Sequence, residues 1–178
     1  MMAQPIPNEI IIADFNIEKH LDWMVVNDDV MGGISESNIQ ILETNQGLFS
    51  GELSLENNGG FASCRTLVGE TDFSTIDTIK IKVKGDGNIY KLRIRNSEYF
   101  DGVSYSVDFE TTKDEWTIFK FKLTDFVPVY RGRILENEGP LEADQIKQVG
   151  FLISDKQAGA FELHIDWIVG VGEVEKSR

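Results

Sequence analysis

Alternation of period two is the feature that most constrains this chain, because it recurs from one end to the other and leaves little room for helices. In TIKIKVK, Thr78 to Lys84, the residues Ile79, Ile81 and Val83 share one face and Lys80, Lys82 and Lys84 the other, the pattern of a strand with one side wet. FKFKL from Phe119 repeats it. Similar runs cover Ile39 to Leu42, Leu48 to Leu55, Ile89 to Arg95, Ser104 to Glu110, Val149 to Ile153 and Phe161 to Val169, separated by Gly, Asn and Asp clusters that read as turns. About nine or ten short strands result, which predicts an all-β chain folded as a β-sandwich of jelly-roll type. Short helices are expected only at Leu141 to Lys147, after Pro140, and at Ile17 to Trp23.

With 178 residues, 41% of them hydrophobic, the chain is long enough for one domain with a core that needs no disulfide or metal. The domain is expected over residues 9–172, with 1–8 and 173–178 as flexible termini. Thirty acidic against seventeen basic residues give a net charge of −13, which opposes nucleic acid and anionic membrane surfaces as partners. No stretch approaches the roughly 18 apolar residues of a membrane span, so no direct membrane insertion is expected. The N-terminus has no export signal, and the single cysteine, Cys64, suits a reducing compartment; both suggest a cytoplasmic protein. With only His20 and His164 beside that thiol, a zinc site lacks ligands, and no cofactor motif is present.

Two segments carry more polar chemistry than ordinary turns require. WMVVNDDVMGG, Trp23 to Gly33, and LENNGGFASCR, Leu55 to Arg65, each couple acidic or amide side chains to a Gly-Gly pair, and the second delivers Phe61, Ser63 and Arg65 at period two. Five of the six arginines, Arg65, Arg93, Arg95, Arg131 and Arg133, fall in strand ends or loops of the central region. In YKLRIRN, Lys91, Arg93 and Arg95 share the face opposite Leu92 and Ile94. Shielded guanidinium groups need carboxylate partners or an anionic ligand, and Asp28 and Asp29 are the evident internal candidates. Two readings stay open: a structural Arg–Asp network, or a binding site. The glycines read as turn residues supplying positive φ, and Trp23, Trp116 and Trp167 as core.

The order of these motifs, continued by GDGNIYKLRIRN, YRGR and VGFLISDKQAGAFELHIDWI, resembles the complex I intermediate-associated protein family over Phe15 to Ile168. The resemblance implies a galactose-binding-domain-like jelly roll, related in shape to carbohydrate-binding modules. It also implies a role in assembling respiratory complex I (NADH dehydrogenase) rather than catalysis. The family pattern falls on Asp28, Asp29, Met31, Gly32, Gly33 and Ser35, then on Asn57, Asn58, Gly59, Gly60, Phe61, Ser63 and Arg65. Arg95, Arg131, Gly132 and Asp166 match the later motifs. The chain has neither a long presequence region nor a fused dinucleotide-binding domain, and so resembles a stand-alone, bacterial form.

The expectation is therefore a non-enzymatic binding module, chaperone-like, that holds client protein subunits or a small polar ligand through Asp28, Asp29, Ser35, Asn57, Asn58, Ser63, Arg65, Arg93, Arg95 and Arg131. No catalytic residue is expected: Asp28 and Asp29 are adjacent, and Ser63 and Cys64 have no histidine near them in sequence. Asp14 and Asp166 lack the loop spacing of a calcium site. The alternative is a carbohydrate-binding module recognising a polar glycan or small metabolite, with Tyr90, Tyr99, Tyr105 and Tyr130 as its aromatic platform.

Overall fold

The computed structural model describes residues 8–28 and 32–172; Asp29, Val30, Met31 and the two termini expected to be flexible, but for Asn8, lie outside the described residues. The chain forms a β-sandwich jelly roll. Thirteen strands follow in order: β1 Asn8–Asp14, β2 Met24–Asn27, β3 Glu36–Ile41, β4 Gly47–Leu53, β5 Ala62–Leu67, β6 Thr78–Lys84, β7 Ile89–Arg95, β8 Ser104–Glu110, β9 Trp116–Lys122, β10 Val127–Tyr130, β11 Arg133–Ile134, β12 Gln148–Ile153 and β13 Gly159–Gly172. One sheet has six strands, ordered β3-β4-β13-β6-β9 with β1 also on β13; the other has seven, ordered β11-β10-β8-β7-β12-β5-β2. Every pairing between named strands is antiparallel.

The alternating side chains meet between the sheets. Ile79, Ile81 and Val83 of β6, Phe49 of β4 and Leu163, Ile165 and Ile168 of β13 face Ala62 and Cys64 of β5, Leu92 and Ile94 of β7 and Phe151 of β12 in one continuous buried cluster. β13 is long enough to serve two neighbours on one edge, pairing with β4 over Gly159–Ile165 and with β1 over Trp167–Gly172. A bulge at Asp166 interrupts its pairing with β6, so Ile165 and Ile168 both point inward although they are three residues apart.

The structure departs from the sequence reading in three places. The helix expected at Leu141–Lys147 is a single 3-10 turn at Ala143–Gln145, with Leu141 and Ile146 dipping separately into the core. No helix forms at Ile17–Trp23, where the Asn16 side chain accepts the backbone N–H groups of Glu18 and Lys19 in a turn. Both segments are too short to hold a helix without an apolar face to bury. Strands β1, β2, β10 and β11 have no clean alternation in sequence and are defined by their neighbours. Finally, only Trp23 packs on the core, stacked against Phe15 at 4.8 Å. Trp116 and Trp167 lie on the outer face of the six-stranded sheet, with Lys84 5.5 Å from the first ring and Lys80 5.9 Å from the second.

Candidate functional site

The two polar motifs meet at Asp28, which caps the end of β2. Its carboxylate is fully buried, at 0% exposure, and takes up three donors: the Ser35 N–H at 2.9 Å, the Ser35 hydroxyl at 2.5 Å and the Gly60 N–H at 2.6 Å. Its own N–H donates to the Phe61 carbonyl, and its carbonyl accepts the Gly33 N–H. The two Gly-Gly pairs divide their work. Gly32 and Gly60 supply positive φ, +87° and +133°, whereas Gly33 and Gly59 are needed for lack of bulk: a Cβ on Gly59 would lie 2.5 Å from Asp28 Oδ2, and one on Gly33 would overlap the Asp28 carboxyl carbon. Burial pushes the Asp28 pKa up, but the hydrogen bonds, the Ser35 hydroxyl foremost, outweigh it and hold the carboxyl below its ordinary value.

Asp28 is thus the centre of an internal pin, and among the described residues neither it nor Ser35 bonds to an arginine. Ser35 Oγ also accepts the Ser54 N–H at 2.9 Å, which draws the end of β4 into the same cluster. Asn57 stands exposed at the tip of the adjoining turn with φ +56°, and Asn58 closes that turn. Ser63 donates to the Val26 carbonyl at 2.5 Å and ties β5 to β2. Asp29 lies outside the described residues.

The arginines assemble elsewhere, on the outer face of the seven-stranded sheet. Register places Met24, Arg65, Gly150, Arg93 and Ser106 in one row across β2, β5, β12, β7 and β8. Leu67, Gln148, Arg95 and Ser104 form the next row. Arg65 and Arg93 therefore flank Gly150, where the close approach of the Cys64 carbonyl and the Arg65 Cβ leaves no room for a side chain. The β7–β8 loop, residues 96–103, folds back over this end. Gln148 donates to the Ser97 and Tyr99 carbonyls at 2.8 and 2.9 Å, Arg95 donates to the Gly102 carbonyl at 2.8 Å, and the Arg65 guanidinium lies 4.2 Å over the Phe100 ring.

Charge is left unbalanced in this face. Among the described residues none of Arg65, Arg93 and Arg95 forms an ion pair, and the buried Nε of Arg93 has no hydrogen-bond partner. Burial lowers the Arg93 pKa to about 10, with the charges of Arg95 and Arg65 adding to it. Burial and the Arg95 charge bring Arg65 down to about 10 as well, against an opposing pull from Asp101. Burial lowers Arg95 too, again against an opposing pull from Asp101. The Asp101 carboxylate is held by Arg131 at 2.7 Å, on the exposed side of the loop. The structure thus brings Arg65, Arg93 and Arg95 together and links Arg131 to them through Asp101. Gly150, Gln148 and the 96–103 loop were missed in the sequence, although a glycine inside an apolar strand run is itself a sign of close approach.

Other groups stand apart. Tyr90 and Tyr105, at 0% and 2% exposure, are in the core, so the four-tyrosine platform does not form; Tyr99, at 77%, and Tyr130 remain outside. Burial pushes the Cys64 thiol up, away from the thiolate a nucleophile needs. His164 contacts Glu162 at 2.6 Å on the opposite sheet. An open hollow of about 290 Å³ lies there too, among Glu9, Asp14, Asn16, Asn45 and Asp166, where Lys82 pairs with Asp166 at 3.3 Å. Among the described residues no three His, Cys, Asp or Glu side chains gather as metal ligands, and no helix is long and apolar enough to cross a membrane.

Comparison with known proteins agrees with this architecture. The mouse mitochondrial protein named complex I intermediate-associated protein 30 is 28% identical over 180 residues, covering 89% of this chain and 55% of the mouse protein. Its Drosophila melanogaster namesake is 25% identical over 181 residues, covering 89% of this chain and 61% of the fly protein. The chain therefore spans less than two thirds of the curated relatives it matches. Among solved structures, a family 11 carbohydrate-binding module from Clostridium thermocellum, in complex with a β-1,3-1,4-mixed-linked tetrasaccharide, superposes with a TM-score of 0.71 at 17% identity, covering 97% of this chain and 100% of the module. That likeness shows the fold. The family profile described as complex I intermediate-associated protein 30 (CIA30) matches residues 13–165, and the chain belongs to that family.

Proposed function

We propose that this protein is a non-enzymatic assembly module that holds subunits of a respiratory NADH dehydrogenase, or of a comparable multisubunit complex, against the outer face of its seven-stranded sheet. The observation that carries this reading is the cluster of arginines that form no ion pair among the described residues, set among exposed apolar side chains: Met24, Leu67 and Val127 on the strands, Tyr99 and Phe100 on the loop. Arginine and aromatic side chains around a desolvated centre are what protein interfaces concentrate. The family name supports the same role. In this reading Asp28 and Ser35 build the scaffold, while Arg65, Arg93 and Arg95 meet the partner, with Ser63, Arg131 and the turn of Asn57 and Asn58 at its margin. The protein works in the cytoplasm.

The test is capture from the native cell's cytosol and solubilised membranes with tagged wild type and an Arg65→Ala, Arg95→Ala double variant, after both are shown to fold by circular dichroism. Enrichment of NADH dehydrogenase subunits by wild type, reduced at least about tenfold in the variant, is the expected result. Equal capture by both would move the interface off this face. A glycan-binding role is the second reading, favoured by the superposition on the family 11 module. Retardation of the wild type in a mixed-linkage β-glucan gel, without capture of any subunit, would replace the first reading with the second.

A further inference from the structure

The face just described leaves a chemical question: what stabilises three neighbouring guanidinium groups that, among the described residues, form no ion pair and feel a carboxylate only at a distance, from Asp101? The central one is the most exacting. Arg93 is flanked across β12 by Arg65 and followed along β7 by Arg95, so like charges stand on two sides of it. Neighbouring strands lie about 4.8 Å apart and next-nearest residues on one strand about 6.8 Å, so the three Cα atoms form a triangle with edges of roughly 7 to 12 Å. Long guanidinium side chains converge easily over such a triangle.

The carboxylates nearby are committed elsewhere. Asp101 is bound by Arg131 and Tyr130, Asp108 and Asp155 are bound by Lys91, and Asp28 is sealed in its pin. Gln148, on the same face, turns both of its described bonds toward the loop carbonyls rather than toward the arginines. Below the guanidinium groups lies Gly150, where the Cys64 carbonyl and the Arg65 Cβ pack too closely for any side chain, so the strands carrying Arg65 and Arg93 flank it without a side chain between them. A chain with a net charge of −13 has carboxylates to spare, yet among the described residues none forms an ion pair with these three arginines. Burying an unpaired cation is costly, and a ligand that supplies the missing charge recovers that cost on binding.

We propose that Arg65, Arg93 and Arg95, over Gly150, form an oxyanion site that takes one carboxylate or phosphate group of the ligand. The Nε of Arg93, buried and unpartnered, marks a guanidinium left unsatisfied within the fold, and Arg65 and Arg95 stand beside it to share the anion. A planar guanidinium presents two parallel N–H groups to such an anion, which gives orientation as well as charge. The inference takes its location from the proposed binding face, and adds that the partner must present an anionic group there.

The test uses the full chain at constant ionic strength, with sodium chloride making up the difference. Inorganic phosphate and glutarate are titrated separately while the arginine Nε–H resonances are followed by ¹⁵N NMR. Saturable shifts at Arg93 and its neighbours, weakened at least about tenfold in Arg93→Gln, are expected. A response to phosphate alone assigns a phosphate group, and a response to glutarate alone assigns a carboxylate, such as a glutamate or aspartate side chain of a protein partner. Arg95→Gln gives the same reading should Arg93→Gln not fold. No saturable response to either anion, or an unchanged response in the folded variants, overturns the proposal. Anion binding without capture of respiratory subunits would keep the oxyanion site and remove the assembly reading; capture with a flat titration would do the reverse.

Discussion

A single buried carboxylate holds two distant motifs together, and its replacement should show how much. Asp28→Asn keeps the shape but turns an N–H₂ group toward the Gly60 N–H and the Ser35 hydroxyl, so donors face donors where one oxygen now accepts both. Hydrogen bonds to a buried charge contribute about 1.5–3 kcal/mol each, and the expected loss for Asp28→Asn is about 2–4 kcal/mol, read from the urea midpoint at pH 7 with unchanged slope. Ser35→Ala should cost less, about 1–2 kcal/mol, because the backbone donors of Ser35 and Gly60 remain. The pH dependence has a fixed sign. Asp28 titrates lower folded than unfolded, so its contribution is complete above the ordinary carboxylate range and disappears as pH falls through the depressed folded value. The stability gap between wild type and Asp28→Asn should therefore close only below about pH 4; a gap that closes near neutrality would mean that another group is responsible.

Among the elements, the β7–β8 loop is held over most of its length by a few polar contacts, with Val103 packing on the core at its end. Tyr99 and Phe100 at its tip are exposed, and Gln148 holds its backbone from below through two carbonyls. Gln148→Ala should release the loop at a global cost of about 1–2 kcal/mol, with residues 96–103 losing hydrogen-exchange protection and becoming the first site of limited proteolysis. Protection of β7 and β12 themselves should persist, since both are central strands of the seven-stranded sheet. Uniform loss of protection across the sheet would show instead that Gln148 supports the strands.

For the molecule as a whole, the excess of thirteen negative charges acts as self-repulsion that folding concentrates. Raising sodium chloride from about 20 to 200 mM shortens the Debye length from roughly 21 to 7 Å, and should raise the calorimetric Tm by about 2–4 °C. A flat Tm would indicate that local pairs such as Lys91 with Asp108 and Asp155, at 2.8 and 3.2 Å, already offset the repulsion. One continuous core between the two sheets predicts a single cooperative transition in the same scan.

Strand positions, the sandwich class and the family were legible because each rests on local order: alternation places Ile79, Ile81 and Val83 inward whatever they pack against, and the motifs stand contiguous in the chain. The short strands β1, β2, β10 and β11, and the loss of both expected helices, depended on neighbours that alternation does not encode. The site shows the same division. Sequence alone put Arg93 and Arg95 on one face of a strand and marked Asp28 and the Gly-Gly pairs as constrained. Only the tertiary structure decided that Asp28 bonds to Ser35 and Gly60 and not to an arginine, and that Arg65 faces Arg93 across Gly150. Pairing register joins residues more than fifty positions apart, and a charge finds its partner through that register rather than through its place in the chain.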